Sequence, residues 1–216
     1  MKIEIKNVTK KFKDVEILKN INLSFEEGKI YGLVGRNGSG KSVLLKLLCS
    51  FYSPTTGEIL YDSIDINKEK IFPPSTRALI EKPNFMPELT GKENLLLLAS
   101  IQNLIGEDEV DEVLKLVDLY EDKDKKYHKY SLGMKQKLGI AQVLMEDPKI
   151  LILDEPFNGL DDKSSQKIRQ ILLDEKKNKK IIIIATHIQD DVKILCDEIY
   201  KIDGGEITLL KNKNEI

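Results

Sequence analysis

The amino-acid sequence predicts an α/β fold in which a helical segment interrupts a largely parallel sheet. Two runs of consecutive apolar residues, 150–153 and 181–185, are typical of parallel strands that are buried on both faces. Residues 30–48 read as an apolar strand, a glycine-rich loop and an apolar helix, in that order. Residues 90–146 have apolar side chains at helical spacing and no strand pattern. We therefore expect an α/β core with an inserted helical segment.

The first part of the chain predicts a β-rich lobe. Residues 2–8 alternate between apolar and polar side chains, as a half-buried strand does. Further strands are predicted at 21–25 and 58–61, on either side of the strand that leads into the glycine-rich loop. A last short buried strand, 77–80, ends at Glu81.

The middle and the last part of the chain differ in their pattern. A helix is predicted over 132–146, and the charged run 121–129 before it reads as a solvated connecting loop. After Pro148 the α/β alternation resumes, with a helix predicted over 163–177. We expect a single domain, 1–216, whose parts are the core, 1–81 and 148–216, and the helical subdomain, 82–147.

Composition and charge exclude several classes of protein. The chain has 216 residues, enough to bury a core without a disulfide or a metal, and Cys49 and Cys196 are isolated in the sequence. We expect both to be small buried side chains in a reducing compartment. The chain has 34 Lys and Arg and 36 Asp and Glu, so we expect no basic surface for nucleic acid. The start has no signal-peptide pattern, and no apolar run reaches the ~18 residues that span a bilayer, so any membrane role would come through a partner.

Residues 35–42 carry the clearest chemical signal. Three glycines let successive backbone N–H groups point at one anion, and the following helix adds the positive end of its dipole. Lys41 can reach the outer phosphates of a nucleotide and the Ser42 hydroxyl can bind Mg²⁺, which is the Walker A pattern. The alternative is a tight turn that is only rich in glycine, and eight matching positions disfavour it. The residues expected to contact the nucleotide are Gly35, Asn37, Gly38, Ser39, Gly40, Lys41, Ser42 and Val43.

Three polar residues follow the two buried strands. Asp154 and Glu155 come directly after the run 150–153, and His187 lies two residues past the run 181–185. Because the carboxyl ends of parallel strands meet at one edge of a sheet, we expect all three beside the glycine-rich loop. Asp154 would hold Mg²⁺, Glu155 would polarise the attacking water, and His187 would contact the γ-phosphate or orient that water. The alternatives are an acidic pair that caps the next turn and a histidine with a structural role.

With these motifs in place, the chain resembles the ATP-binding cassette (ABC) transporter ATPases over almost its whole length. Residues 130–136 (YSLGMKQ) stand where that family carries its signature sequence, and residues 158–161 (NGLD) match its D-loop. The resemblance implies a P-loop NTPase (RecA-like) core with an antiparallel β subdomain and an inserted α-helical subdomain. It also implies that Ser131 and Gly133, at a second helix N-terminus, bind the ATP of the opposite subunit in a head-to-tail dimer. His187 matches the switch histidine of the family.

Phe12 and Glu81 extend the resemblance in different ways. Phe12 falls where family members stack an aromatic ring on adenine, and a core Phe on a strand is the alternative. Glu81 stands where the family usually has Gln, and Leu132 and Met134 also depart from the usual signature. Glu81 and the altered signature resemble the subgroup that exports or resists antimicrobial peptides, the bacitracin and lantibiotic type. A carboxylate attracts Mg²⁺ more strongly than an amide does. The expected metal ligands are therefore Ser42, Glu81 and Asp154.

We therefore predict an ATP-hydrolysing, nucleotide-binding subunit of an ABC transporter, with ATP and Mg²⁺ as cofactors and with Lys41, Glu155 and His187 as catalytic residues. The resemblance implies that it drives transport through separate integral membrane permease subunits, as a homodimer or as a heterodimer with another ABC subunit. It would then be cytoplasmic and peripheral on the inner face of the cell membrane, without binding nucleic acid. The alternatives are a soluble ABC-type ATPase, an ATP-binding regulatory module not coupled to transport, and a nucleotide kinase.

Overall fold

The computed structural model describes residues 1–187 and 189–212, and for residues 189–191 and 211–212 it describes the backbone alone. Within these ranges the strands and α-helices have these bounds: β1 Lys2–Phe12, β2 Val15–Glu26, β3 Lys29–Val34, α1 Lys41–Leu48, β4 Thr56–Tyr61, β5 Ile64–Asp65, β6 Thr76–Leu79, α2 Gly91–Gln102, α3 Glu107–Leu116, α4 Leu132–Leu144, β7 Ile150–Asp154, α5 Asp162–Lys177, β8 Ile181–Thr186, α6 Gln189–Leu195, β9 Glu198–Asp203 and β10 Glu206–Asn212.

The outer sheet has four antiparallel strands in the order β2-β1-β4-β5. Its buried face includes Ile3, Ile5 and Val8 of β1, which alternate with exposed or partly exposed side chains as the sequence predicts. Strand β2 is longer than the predicted segment because it turns back directly from β1 and pairs with it from Phe12 opposite Val15 onward.

The inner sheet has six strands in the order β10-β9-β3-β8-β7-β6, and only the edge strand β10 is antiparallel to its neighbour. Every residue of β7 and β8 is buried, which explains their unbroken apolar runs. One face of this sheet packs with α1 against the outer sheet, and the other face packs against α2 to α5. The parallel strands therefore lie between two hydrophobic clusters and contribute side chains to both.

Three α-helices, α2, α3 and α4, and two short 3₁₀ helices, Tyr120–Asp122 and Tyr127–Lys129, lie between β6 and β7 in the chain. Thr90 and Glu93 form a capping box that begins α2, with each side chain bonded to the backbone of the other residue. The charged run before α4 is only partly solvated, because Tyr127 within it is buried and its ring packs edge-on against Phe85. Helix α4 ends two residues earlier than predicted, and Ile80 lies beyond the end of β6.

The two cysteines are buried, as the sequence predicts. Burial raises the pKa of the Cys49 thiol to about 12, and Cys196 is also buried. Over residues 1–187 and 189–212, every helix is too short or too polar to cross a lipid bilayer.

Candidate functional site

The glycine-rich loop leaves the carboxyl end of β3 and enters α1 without a side-chain cap. Gly38 and Gly40 have φ angles of +78° and +108°, which favour glycine strongly. Gly40 is the N-cap residue of α1, and no side chain accepts a hydrogen bond from the first turn of this helix. The N–H groups at this helix end are therefore available to an anion.

Lys41 is buried within the loop that precedes it. Its Nζ donates hydrogen bonds to the carbonyl oxygens of Gly35, at 2.8 Å, and Arg36, at 3.2 Å. Gly35 is required for close packing, because a Cβ atom there would lie 2.4 Å from the carbonyl oxygen of Ile202. The ammonium of Lys41 is thereby held at the inner side of the loop.

Ser42 and Asp154 meet at the start of α1. The Ser42 hydroxyl donates a 2.7 Å hydrogen bond to Oδ2 of Asp154. Burial raises the pKa of the Asp154 carboxyl, and the bond from Ser42 opposes that shift in part. A hydroxyl and a carboxylate are oxygen ligands of the kind that Mg²⁺ prefers, together with water and phosphate oxygens. The part of the chain that the structure describes has no group of three or more His, Cys, Asp and Glu that could hold a metal without a nucleotide.

Both carboxylate oxygens of Glu155 are held by the residues at the end of β8. Oε2 accepts a 2.8 Å hydrogen bond from the Thr186 hydroxyl, and Oε1 lies 3.0 Å from the backbone N and 2.8 Å from Nδ1 of His187. The Glu155 backbone adopts a φ of +50°, and its N–H donates to the carbonyl of Ala185. Its unusual backbone and its carboxylate are therefore fixed by one neighbouring strand.

A cleft of about 450 Å³ joins these groups. Phe12 stands at one end of the cleft, 39% exposed, with its ring edge-on to Tyr52 at 5.3 Å between centroids. The Lys10 ammonium lies 4.8 Å from the same Phe12 ring. The predicted residues that line the cleft are Phe12, Asn37, Gly38, Ser39, Gly40, Lys41, Ser42, Val43, Asp154 and Glu155.

His187 is turned toward a second hollow of about 510 Å³ on another side of the loop, which Gly35 and Asn37 also line. The predicted positions Ser131 and Gly133 line neither of these two cavities. Ser131 caps α4 instead, because its Oγ accepts a 3.2 Å hydrogen bond from the N–H of Met134. The next residue, Leu132, is 62% exposed.

The beginning of α4 packs against the segment that follows Glu155. Gln136 is buried and donates from Nε2 to the carbonyl oxygens of Glu155, at 3.1 Å, and Pro156, at 3.0 Å. A Cβ atom at Gly133 would lie 2.9 Å from the carbonyl oxygen of Gly159, and one at Gly159 would lie 2.6 Å from Cγ of Leu132. The two segments are therefore in contact along their length.

Glu81 approaches this site with its backbone and not with its carboxylate. Its backbone N–H is close enough to the Asp154 carboxylate to oppose, slightly, the rise in its pKa, while its own Oε1 pairs with Nζ of Lys46. Its side chain is 65% exposed, and its φ is +64°.

Sequence reasoning missed three residues that shape the site: Thr186, Gln136 and Lys46. Thr186 is a polar residue at the end of a buried apolar strand, and Gln136 is a polar residue on the buried face of a helix. Those positions were the available signal. Lys46 gave no signal, because a lysine on a helix surface is ordinary.

A family model described as ABC transporter matches residues 18–158. The chain belongs to the ABC transporter family. The match ends just beyond Glu155 and contains the glycine-rich loop, Ser131 and Asp154.

Three curated ABC proteins are similar to the chain along nearly all of its length. The uncharacterized ABC transporter ATP-binding protein YybJ of Bacillus subtilis (strain 168) is 40% identical over 95% of this chain and 94% of its own length. The bacitracin transport ATP-binding protein BcrA of Enterococcus faecalis is 37% identical over 99% of this chain and 70% of its own. The lantibiotic transport ATP-binding protein SrtF of Streptococcus pyogenes is 34% identical, over 97% and 90%. The predicted resemblance to the bacitracin and lantibiotic type is confirmed at the level of sequence similarity.

A solved bacterial ABC transporter cassette, described as dimeric, has a TM-score of 0.88 to this structure. It is 30% identical, and the alignment covers 97% of this chain and 98% of that one. The same cassette is also solved as a dimer in a post-hydrolysis state bound to ADP and Pi, with a TM-score of 0.84. These likenesses confirm the predicted fold and the prediction of an ABC-type ATPase subunit.

Proposed function

We propose that the cleft between Phe12 and Glu155 binds ATP with Mg²⁺. Hydrolysis of this ATP would drive separate membrane subunits that export an antimicrobial peptide or give resistance to it. One observation carries the proposal. A loop suited to phosphate, the Ser42–Asp154 pair and the carboxylate of Glu155 border one continuous space. A phosphate-binding loop alone would serve many proteins, but a loop with a held carboxylate beside it suits hydrolysis.

In this proposal each end of the cleft takes a different part of the nucleotide. The exposed Phe12 ring stacks on adenine, and the N–H groups of the loop and the first turn of α1 hold the phosphates. Lys41 supplies a positive charge to the outer phosphates. Ser42 and Asp154 would hold Mg²⁺, which when bound neutralises charge on the phosphate oxygens, whereas the carboxylate of Glu81, the third predicted ligand, is paired with Lys46.

Glu155 acts as the general base in this proposal. It accepts a proton from the attacking water, and the fixed contacts from Thr186 and His187 orient its carboxylate. His187 is proposed to contact the γ-phosphate or the water once ATP is bound. Its position beside Gly35 and Asn37 supports that role, because these residues belong to the loop.

The signature residues are proposed to act on a second copy. Ser131 and Gly133 lie at an exposed helix N-terminus outside the chain's own cleft, where they are free to approach the ATP of an opposite subunit. The solved relative that is described as a dimer supports a dimer here, either of two identical chains or of this chain with another ABC subunit.

The membrane partner is proposed to dock on a groove of about 560 Å³ between the end of β6 and the helices. The groove borders the proposed helical subdomain, 82–147, within one ABC ATPase domain, 1–216, whose core is 1–81 and 148–216. The relatives named for bacitracin and lantibiotic transport support a permease partner and a peptide cargo. In that assembly this chain would be cytoplasmic and peripheral on the inner face of the cell membrane, and we propose no contact with nucleic acid.

The sharpest test of the nucleotide cleft is the variant Lys41→Ala. We expect it to abolish ATP binding, because it removes the cation that the loop holds closest to the phosphates. Equilibrium dialysis with radiolabelled ATP measures the affinity directly. The matched control is Lys177→Ala, which removes an exposed lysine of α5 and should leave ATP affinity unchanged. Normal ATP affinity in Lys41→Ala would show that the loop has another function.

A further inference from the structure

The Phe12 ring stands at the tip of a hairpin, where the neighbouring strands give it little support. Phe12 is the last residue of β1 and lies opposite Val15, the first residue of β2. The ladder between β1 and β4 ends three residues earlier, at Thr9. The orientation of the Phe12 ring therefore depends mainly on side-chain contacts.

The Tyr52 ring supplies such a contact from the segment that follows α1. It meets the Phe12 ring at an angle of 77° between the ring planes, with 5.3 Å between the centroids. This T-shaped geometry is one of the favoured arrangements of two aromatic rings. Tyr52 also packs against the hydrophobic cluster around α1, and its N–H donates a 3.3 Å hydrogen bond to the carbonyl oxygen of Lys46. Tyr52 therefore joins the Phe12 ring to the body of the protein.

The Lys10 ammonium holds the two rings together. Its Nζ lies 4.8 Å from the centroid of the Phe12 ring and 5.5 Å from that of the Tyr52 ring. An ammonium within about 6 Å of a ring centroid is attracted to the ring. The same Nζ donates a 2.8 Å hydrogen bond to the carbonyl oxygen of Ser53. One ammonium is therefore anchored to the backbone after α1 and contacts both rings.

Two backbone contacts fasten the end of β1 to the same segment. The Thr55 N–H donates a 2.8 Å hydrogen bond to the carbonyl oxygen of Thr9, and Oγ1 of Thr55 accepts a 2.9 Å bond from the N–H of Lys11. We call residues 52–55 the brace. The brace thus holds the backbone of the last residues of β1 as well as the ring at its end.

The brace and the phosphate end of the cleft belong to one continuous piece of chain. Helix α1 begins at Lys41, and the brace follows the end of the same helix after three residues. Phe12 reaches the cleft from a different strand. Because a nucleotide must fit the ring and the loop at once, its affinity depends on how well their separation is set before it binds. The contacts from Tyr52 and Lys10 set that separation.

We propose that Tyr52 and Lys10 are positioning residues for Phe12, and that they supply part of the affinity of the cleft for the base of a nucleotide, as distinct from its phosphates. This role rests on the proposed function of the cleft, in which the Phe12 ring stacks on adenine. The two residues act through Phe12, because neither of them borders the cleft. A purely structural role would instead alter the affinities for nucleotide and for phosphate alike.

Two ligands with the same number of phosphates, ADP and pyrophosphate, test the proposal. ADP has no γ-phosphate to lose, so the chain can be studied with its catalytic residues intact. Equilibrium dialysis with each radiolabelled ligand, in the presence of Mg²⁺, gives the two dissociation constants. Their ratio measures what the adenosine part contributes. Steady-state kinetics with ATP adds KM and kcat.

In Tyr52→Leu we expect the affinity for ADP to fall by about threefold to tenfold, the scale of one aromatic pair, while the affinity for pyrophosphate stays unchanged. KM for ATP should rise by a similar factor with kcat unaltered. Tyr52→Phe keeps the ring and should keep the affinity for ADP. Lys10→Met should lower that affinity by about twofold to fivefold, the scale of a partly exposed cation–π contact, again without an effect on pyrophosphate.

Phe12→Ala provides the background that separates positioning from stability. It should weaken ADP binding more than Tyr52→Leu does, because the stacking surface itself is lost. Adding Tyr52→Leu to it should cause no further loss, since the ring that Tyr52 positions is then absent. Phe51→Leu is the matched control, because Phe51 is the aromatic residue next to Tyr52 and is 60% exposed. It should leave both affinities unchanged.

Three results would overturn the inference: normal ADP affinity in Tyr52→Leu and Lys10→Met, an equal loss of pyrophosphate affinity in these variants, or a further loss when Tyr52→Leu is added to Phe12→Ala. Failure of both ligands to bind the unaltered chain would instead contradict the proposed function of the cleft. Urea unfolding shows whether each variant is folded. If Tyr52→Leu does not fold, Lys10→Met, which removes only an ammonium, decides the question.

Discussion

Two glutamates at the same edge of the inner sheet have acquired different surroundings. Glu81 and Glu155 follow the neighbouring parallel strands β6 and β7, and both have left-handed backbones. The side chain of Glu155 is 21% exposed and contacts a hydroxyl and an imidazole, whereas that of Glu81 is mostly exposed and contacts an ammonium.

The difference shows that the partner, and not the position on the sheet, sets what a carboxylate can do. The Lys46 ammonium holds the carboxylate of Glu81 against α1. The Thr186 hydroxyl and the backbone N–H of His187 hold the carboxylate of Glu155 beside the cleft. Glu155 is therefore placed to act on a bound molecule, and Glu81 joins its loop to α1.

The variant with the largest expected effect, Glu155→Gln, tests whether the two glutamates have separate roles. We expect hydrolysis to slow by roughly 10²-fold or more, the scale for losing a general base, while ATP stays bound and the dimer accumulates. Phosphate release under single-turnover conditions measures the rate, and size-exclusion chromatography with ATP measures the dimer. Glu81→Gln is the matched control, and it should hydrolyse ATP much faster than Glu155→Gln. Equal losses in the two variants would show that the two glutamates do not have separate roles.

A smaller effect is expected from Thr186→Val, which keeps the shape of the side chain and removes the hydroxyl. The loss of a buried hydrogen bond to Oε2 of Glu155 should lower kcat by about tenfold, with KM for ATP little changed. Steady-state kinetics separates the two parameters, and Thr186→Ser should recover most of the rate. A rise in KM with normal kcat would mean that Thr186 serves binding and not the orientation of Glu155.

The smallest effect is expected for the stability of Glu81→Gln, and a buried ion pair on the preceding strand gives a comparison that needs no ATP. Glu81→Gln should change the free energy of unfolding by less than about 1 kcal/mol, because its ion pair is exposed. Arg77→Met, on the adjoining strand β6, should cost roughly 3 kcal/mol, since it leaves the buried carboxylate of Glu146 unpaired. Urea denaturation measures both variants. A large loss in Glu81→Gln would show that the pair with Lys46 stabilises the fold.

The sequence was sufficient for the features that depend on short-range pattern. The glycine-rich loop, the two buried strands and the acidic residues after Leu153 could be located because each motif is continuous in the chain. That these motifs meet in one cleft could be predicted, because the carboxyl ends of parallel strands lie at one edge of a sheet. The strands β5, β9 and β10 and the helix α6 were not predicted. The bounds predicted for two helices, 132–146 and 163–177, were correct to within two residues.

The contacts that tune the site could not be predicted, because they join residues far apart in the chain. Thr186 reaches Glu155 across 31 residues, and Lys46 reaches Glu81 across 35. Their formation depends on which strands are neighbours and on how the side chains are directed. No local pattern encodes that information.

The glycines at 133 and 159 leave almost no clearance between the start of α4 and the segment after Glu155, and Gln136 fastens the same two segments a turn further on. We therefore expect a displacement of one segment to move the other. A shift of the backbone around Glu155 would then reach the exposed start of α4, where Ser131 and Leu132 lie. Even a methyl group at either glycine would force the two segments apart and weaken this link.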